Sequence, residues 1–160
     1  MEDYNMEETA IMTTVEQNAM TNVEQNAMTT FSDTLMQDVS EQGYWASFPV
    51  ESMEDKKVLF AAREDNILLK DHMGEVIPLV GVVIDTVDVN SEIGVKTVPC
   101  VHLIAEDGTV YQSASSGVVK TTCKLISSFG NPSTWNEPID VVCKETTTAK
   151  GFRYKYLGIV

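Results

Sequence analysis

The sequence predicts a mainly β domain, a small five-stranded barrel with one helix between its third and fourth strands, preceded by a disordered acidic tail. Three observations support this prediction. Residues 1–55 contain twelve acidic residues and no lysine or arginine, whereas residues 56–160 contain twelve acidic and eleven basic residues. Two runs, 76–89 and 95–105, are rich in valine and isoleucine, as strands are. An Asp107-Gly108 pair between apolar runs is a strong signal for a tight hairpin turn.

The predicted tail comprises residues 1–42 and contains a short repeat. The sequence Val-Glu-Gln-Asn-Ala-Met-Thr occurs unchanged at 15–21 and 23–29. On a helix, a period of eight residues rotates the second copy by about 80°, so the two copies do not form one apolar stripe. The segment is too polar to offset its ordering entropy, and we expect disorder or transient helix. Its role stays open between an acidic arm that binds partner proteins or competes with nucleic acid, and a solvating extension without a ligand.

The domain itself is predicted at residues 43–160, and its first half contains a short helix and three strands. The amphipathic run 56–63 has the pattern of one or two helical turns. The first strand is long enough to bend at Gly81, and the turn residues 90–94 end it. The Asp-Gly turn then makes the third strand return antiparallel to the second. These three strands are predicted at 76–89, 95–105 and 109–113.

The second half is predicted to contain one helix and two further strands. Residues 117–128 are predicted to form a helix with one apolar face. Ser115 and Ser116 are candidate N-terminal caps, and Gly130 is the expected C-terminal end of the helix. The remaining strands are predicted at 139–145 and 151–160. Three strands, a helix and two strands is the element order of the OB-fold barrel, which often binds single-stranded nucleic acid.

Several classes of protein are not supported by the sequence. The longest apolar run, 76–84, is far shorter than a membrane span and contains Pro78 and Gly81, and the N-terminus lacks the pattern of a signal peptide. Three cysteines without a paired spacing predict reduced thiols in a cytoplasmic protein. Two distant histidines do not predict a metal site, and no nucleophile or phosphate-loop motif predicts catalysis or a cofactor.

The last third of the chain has the chemistry of a nucleic-acid interface. Residues 118–160 hold six basic and three acidic residues, which reverses the sign of the whole chain. From 150 to 156 aromatic and basic residues alternate, so on a strand the rings point one way and the cations the other. Rings stack bases and cations neutralise phosphates. The candidate nucleic-acid-binding residues are Tyr111, Lys120, Lys124, Trp135, Lys144, Lys150, Phe152, Arg153, Tyr154, Lys155 and Tyr156.

A competing interpretation applies to these residues. In a small barrel one face of each strand is core, so the rings of Phe152, Tyr154 and Tyr156 can fill it. In that case Arg153 and Lys155 lie outside and keep a phosphate-binding role. The two lysines of the predicted helix can equally form a solvated helix face. The sequence leaves the direction of the rings open.

Several motifs resemble a known family. They are the Asp-Gly-x-x-Tyr-Gln strand at 107–112, the Phe-Gly-x-Pro-x-x-Trp-x-Glu-Pro loop at 129–138 and the Lys-Gly-aromatic ending at 150–152, with supporting runs at 57–62 and 69–72. Over about residues 45–160 the chain resembles single-stranded DNA-binding proteins of bacteriophages and mobile elements of Gram-positive bacteria. The resemblance implies coating of exposed strands during phage DNA replication in the host cytoplasm, without catalysis. The repeated acidic tail departs from the family pattern.

The expected partner is single-stranded DNA, with replication proteins as partners of the acidic tail and a homodimer as a further expectation. The alternative function is an acidic protein-interaction module, a DNA mimic that inhibits a host nucleic-acid enzyme. The net charge of -13 favours the mimic. The segregation of that charge and the aromatic-basic strand favour the DNA binder. An enzyme subunit of the same fold has no catalytic residues to nominate.

Overall fold

The computed structural model describes residues 33–160, so the first 32 residues of the predicted tail, with both repeat copies, lie outside the described part. The helices are α1 (33–42), α2 (Met53–Glu64) and α3 (Ser116–Phe129). The strands are β1 (Trp45–Ala46), β2 (Ile67–Leu68), β3 (Val76–Ser91), β4 (Gly94–Ala105), β5 (Val110–Ser113), β6 (Ile139–Thr147) and β7 (Arg153–Ile159). Two short 3-10 helices occupy Leu69–His72 and Pro132–Thr134.

The seven strands of the described chain form one curled mixed sheet, a half-barrel. Its order is β2-β5-β4-β3-β6-β7, and β1 pairs with β3. The β2–β5 pair is parallel and the other neighbours are antiparallel. Among the described residues no strand ladder joins β7 to β5 or to the terminal strand β2, so the sheet stays open between the β2–β5 pair and β7.

The prediction of a mainly β fold is confirmed. Strands β3 to β7 overlap the five predicted strands, and α3 overlaps the predicted helix at 117–128. The two-residue strands β1 and β2 were not predicted, and the predicted barrel is open on one side. The disorder expected up to residue 42 does not extend over 33–42, because α1 is helical and its Leu35 and Val39 are buried.

The long strand β3 connects the two parts of the sheet. Its first residues pair with β6, and from Leu79 onward it pairs with β4. A register shift between Leu79 and Gly81 interrupts the β3–β4 ladder, at the glycine where a bend was predicted. A bulge of this kind bends a strand and increases its twist, so it curls the sheet. The predicted hairpin turn after β4 also forms: Gly108 has a φ of 92°, and Asp107 Oδ1 accepts from the N–H of Thr109 at 2.9 Å.

Both faces of the sheet are covered in its centre. Because side chains alternate along a strand, Val82 and Ile84 point to the face opposite Val83. The helix α3 contacts β4 and β7, and its Val118 and Ile126 are buried. The other face packs on α2 in one cluster, which consists of Leu59, Ala62, Val83 and Val110. Burial of each large aliphatic side chain is worth about 1.5–3 kcal/mol, so the two helices fix the curl of the sheet.

The helix α2 begins at a capping box. Ser52 Oγ accepts from the N–H of Asp55 at 3.0 Å, and the Asp55 carboxylate accepts from the N–H of Ser52 at 3.2 Å. Backbone hydrogen bonds from Glu51 and Ser52 lower the pKa of Asp55. The helix therefore starts three residues before the predicted run at 56–63, because the capping residues are polar and carry no apolar periodicity.

Candidate nucleic-acid interface

The β6–β7 hairpin carries most of the candidate residues. In its register Lys144 lies opposite Tyr156, and Thr146 lies opposite Tyr154. Since side chains alternate, Tyr154, Tyr156 and Lys144 share one face of the hairpin. Leu157, which is buried, points to the other face together with Arg153 and Lys155. The hairpin thus separates two rings and one lysine from two further cations, as the period of two predicted.

The two tyrosines form a stacked pair. The ring centroids of Tyr154 and Tyr156 are 6.1 Å apart, and the rings are inclined by 20°. Both side chains are half-buried, and they lie on the face turned away from the buried Cys143 and Leu157. The rings therefore do not lie on the face of β7 that buries Leu157. Phe152 precedes β7 and is 67% exposed, so a third ring lies beside the hairpin turn.

The helix α3 lies along the free edge of β7. Thr121 Oγ1 accepts from the N–H of Leu157 at 2.9 Å, which satisfies an edge group of the strand. Gly117 permits this approach, since a Cβ there would overlap the Lys155 carbonyl oxygen and lie 2.7 Å from Tyr154 Cε1. Sequence reasoning assigned no role to Gly117, because the close approach arises only from the tertiary packing.

Three exposed lysines lie on the hairpin and on the adjoining helix α3. Lys120 and Lys124 are exposed on α3, and Lys124 lines a groove with Gly158 of β7. Lys144 is exposed on β6, and its Cε lies 3.3 Å from where a Cβ of Gly158 would be. Lys124 and Lys144 therefore both lie near Gly158 of β7. The two rings and Lys144 share one face of the hairpin, and Lys120 and Lys124 lie on the adjoining helix; these five residues are called the tyrosine surface below (Lys120, Lys124, Lys144, Tyr154 and Tyr156).

The remaining cations of the hairpin lie in its turn or on the other face of β7. Lys150 is exposed in the β6–β7 turn, and Arg153 is exposed opposite Thr147. Lys155 Nζ lies 3.7 Å from Glu145 Oε2, in a pair whose side chains are about one third exposed. A pair so long and so solvated is worth roughly 0–1 kcal/mol, so Lys155 is available to an anionic ligand.

Tyr111 and Trp135 lie on other elements than the hairpin. Tyr111 is on β5, where its ring makes an edge contact with His72 at 5.5 Å and burial raises its pKa. Trp135 Nε1 donates to the carbonyl oxygens of Phe129 and Gly130, each at 3.1 Å. This bond anchors the C-terminal end of α3, whereas Gly117 at the other end contacts the tyrosines. Twelve helical residues separate the two ends by about 18 Å.

A buried polar cluster on the α2 side is a separate candidate site. Asp85, Cys100 and His102 place one ligand atom each within 4.8 Å of one another. The Asp85 oxygens, however, accept from Arg63 Nε at 3.0 Å and from His102 Nε2 at 2.8 Å. The other His102 nitrogen lies 3.2 Å from Asn66 Nδ2. Burial raises the pKa of the Cys100 thiol to about 11. The thiol is neutral, and the carboxylate is already paired with a guanidinium. The cluster therefore fits a structural network better than a cation site.

Comparison of the chain with known proteins identifies one family. A family model described as phage single-stranded DNA-binding protein matches residues 38–159. The match spans all seven strands and includes the hairpin, and it begins within α1. No curated protein and no solved structure matches the chain. Among the described helices, none has the length and apolar composition needed to cross a bilayer.

Proposed function

Because the chain belongs to the phage single-stranded DNA-binding protein family, we propose that it coats exposed single strands during phage DNA replication or recombination in the host cytoplasm, without catalysis. The observation that carries the location of the site is the stacked pair Tyr154 and Tyr156 with Lys144 directly across from Tyr156. We further propose that the half-barrel is an OB-fold-type domain, because α3 lies between β5 and β6 as the helix of that fold does.

The chemistry of the tyrosine surface suits a single strand. Each base has a π-face, so stacking on Tyr154 or Tyr156 is tolerant of sequence and is worth about 1–3 kcal/mol per base. Lys144 on the hairpin and Lys120 and Lys124 on the adjoining helix are exposed and can neutralise phosphates. In duplex DNA the base faces are already stacked, so rings of this kind favour single strands.

The other candidate residues have supporting roles in this proposal. Phe152, Lys150 and Arg153 extend the surface around the hairpin turn, where all three are exposed. Tyr111 and Trp135 are secondary members, because His72 contacts the first ring and backbone carbonyls hold the second. Their contribution is proposed to be smaller than that of the stacked pair.

Residues 1–32 are an acidic segment that lies outside the family match. We propose that this segment recruits replication proteins or limits nonspecific adhesion. This segment holds six acidic residues and no basic one. Negative charge at this density repels phosphates, so the segment is unsuited to bind the DNA itself. The alternative of a DNA mimic has no support from the family match.

The function is tested by fluorescence anisotropy with a labelled oligothymidine of about 30 nucleotides, titrated with the full chain at low and moderate salt. The expected result is salt-sensitive binding that is tighter than binding to a duplex of equal length. No binding by a folded protein, or equal binding to the duplex, would contradict the proposal.

A further inference from the structure

A cleft of about 250 Å³ lies where the half-barrel fails to close. Its lining includes Ser113 at the end of β5 and Lys155 of β7, the two strands that do not pair with each other. Lys70 of the 3-10 helix and Val87 of β3 also line the cleft. The opening of the sheet therefore creates a concave site, and it lies on the side of β7 that carries Lys155 rather than the tyrosines.

The walls of the cleft are mainly apolar. Leu68, Val87 and Val89 contribute aliphatic side chains, and Gln112 and Ser113 contribute polar groups at the end of β5. The Gln112 carboxamide offers both donor and acceptor positions to a ligand. Apolar walls with a few polar groups are typical of ligand sites, and this volume is below the roughly 300–1,000 Å³ of sites for drug-sized molecules. The dimensions suit one nucleobase.

The charge of the cleft identifies the kind of ligand. Of its nine lining residues, all in the described part of the chain, two are lysines, Lys70 and Lys155, and none is acidic. The cleft beside Trp135 differs, because Glu106 and Glu137 line it and no lysine or arginine does. The groove at the end of β7 has one lysine, Lys124. Among these three clefts, only the one between β5 and β7 combines apolar walls with two cations.

From this combination we infer that the cleft between β5 and β7 takes a base of bound single-stranded DNA, with Lys70 and Lys155 holding the adjoining phosphates. The inference rests on the proposed function and adds a second base site to the tyrosine surface. Apolar side chains contact the faces of the base, and the Gln112 carboxamide is placed to meet its polar edge. Lys155 leaves its long contact with Glu145 to reach a phosphate.

The cations are tested by the salt dependence of oligothymidine affinity. Lys70→Ala and Lys155→Ala should each reduce the slope of log K against log salt by about 0.7, the value for one lost phosphate contact on a single strand. Lys57→Ala, which removes an exposed lysine of α2, is the matched control and should leave the slope unchanged. Glu145→Gln should strengthen binding, because Lys155 then has no competing carboxylate. Slopes equal to wild type for both cleft variants would overturn the phosphate contacts.

The base site is tested by filling the cleft. Ala114→Phe places a ring at a lining position, and we expect an affinity about five-fold or more lower. Ala61→Phe, at an exposed position of α2, adds the same ring elsewhere and should bind as wild type. Thermal unfolding checks that both variants are folded. In amide NMR spectra of the wild type, a short oligothymidine should shift Gln112, Ser113 and Ala114.

The outcomes separate the two proposals. If the wild type binds oligothymidine while Ala114→Phe binds equally well and the amides of Gln112 and Ser113 do not shift, the cleft is not a base site and the DNA-binding function stands. If the wild type itself does not bind, the proposed function fails and the inference fails with it. Loss of affinity in Ala114→Phe together with the amide shifts supports the inference.

Discussion

At the scale of single residues, the proposed interface depends on rings that no neighbour fully covers. Tyr156 is half-buried, lies opposite Lys144 and stacks on Tyr154, so one side of the pair is available to a base. Tyr154 is more constrained, because α3 approaches its ring at Gly117. Tyr156 is therefore the better position at which to measure stacking without disturbing the fold.

Tyr156→Ala is expected to weaken oligothymidine binding by about 1–3 kcal/mol, since it removes one stacking ring. Tyr156→Phe keeps the ring and should bind nearly as wild type. Phe60→Ala removes another exposed ring, 70% accessible on α2, and should have no effect. Fluorescence anisotropy measures all three. Equal affinities for Tyr156→Ala and wild type would remove this ring from the interface.

Cys100 provides a pH-dependent prediction for stability. Burial first, and Asp85 second, raise the pKa of this thiol from 9.0 to about 11 in the folded protein. The unfolded chain loses the proton at lower pH, so the stabilising contribution is complete below pH 9 and is lost as the pH rises toward 11. Urea unfolding of Cys100→Ala between pH 8 and 10.5 should show a shallower loss of stability than wild type. Identical pH profiles of stability for Cys100→Ala and wild type would contradict the raised pKa of Cys100.

At the scale of elements, the contact between α3 and β7 holds the tyrosine surface together. The hairpin supplies the rings and one lysine, and α3 supplies two more lysines along the free edge of β7. Gly117 is the point of closest approach, because a side chain there would meet the Lys155 carbonyl and the Tyr154 ring. The alignment of the two elements thus sets the position of the cations relative to the rings.

Gly117→Ala is expected to destabilise the fold, although the same change in an exposed helix interior normally stabilises by roughly 0.5–1 kcal/mol. The new methyl group meets backbone that cannot move aside easily, and such overpacking costs about 1–3 kcal/mol. Ser127→Ala, at an exposed position of the same helix, is the control and should be near neutral. Urea denaturation measures both, and a stabilised Gly117→Ala would refute the close contact.

The sequence predicts those elements whose own residues carry the signal. The apolar runs of β3 and β4 and the Asp107-Gly108 turn specify strands and a hairpin locally. The two-residue strands β1 and β2 carry no pattern and form only because other strands offer them an edge. Alternation within 150–156 predicted that rings and cations separate. Which side faces the core depends on the register with β6, and that is a tertiary property.

The candidate site was predictable to the same extent. The basic and aromatic residues of the hairpin are consecutive in sequence, so composition reveals them. Lys70 is separated from Lys155 by 85 positions, and only the open edge of the sheet brings both to one cleft. Trp135 is a stacking candidate because it is an aromatic residue in a loop. The sequence does not reveal that its indole N–H also anchors the end of α3.

At the scale of the whole molecule, charge is divided along the chain. Residues 1–55 hold twelve of the 24 acidic residues and no basic one. Residues 118–160, at the end of the compact unit Leu35–Val160, hold six basic and three acidic residues. The net charge of -13 therefore does not describe the surface that the proposal assigns to DNA. Segregation of this kind allows an acidic protein to bind a polyanion.

Deletion of residues 1–32 is expected to leave oligothymidine affinity equal or to increase it, since repulsive carboxylates are lost while the compact unit keeps every proposed contact. The increase should be larger at low salt, where screening is weaker. A control with the six acidic residues changed to their amides separates charge from chain length. A marked loss of affinity would show that the segment itself takes part in binding.

The most direct test of the central claim locates the DNA on the protein. Oligothymidine bound to the full chain is photo-crosslinked, and cleavage after glutamate releases the fragment 146–160, which contains Phe152, Tyr154 and Tyr156. The account predicts that mass spectrometry finds crosslinked thymidine in this fragment, and that the yield falls in the double variant Tyr154→Phe, Tyr156→Ala. Crosslinks confined to other parts of the chain, such as the exposed Phe60 of α2, would contradict it.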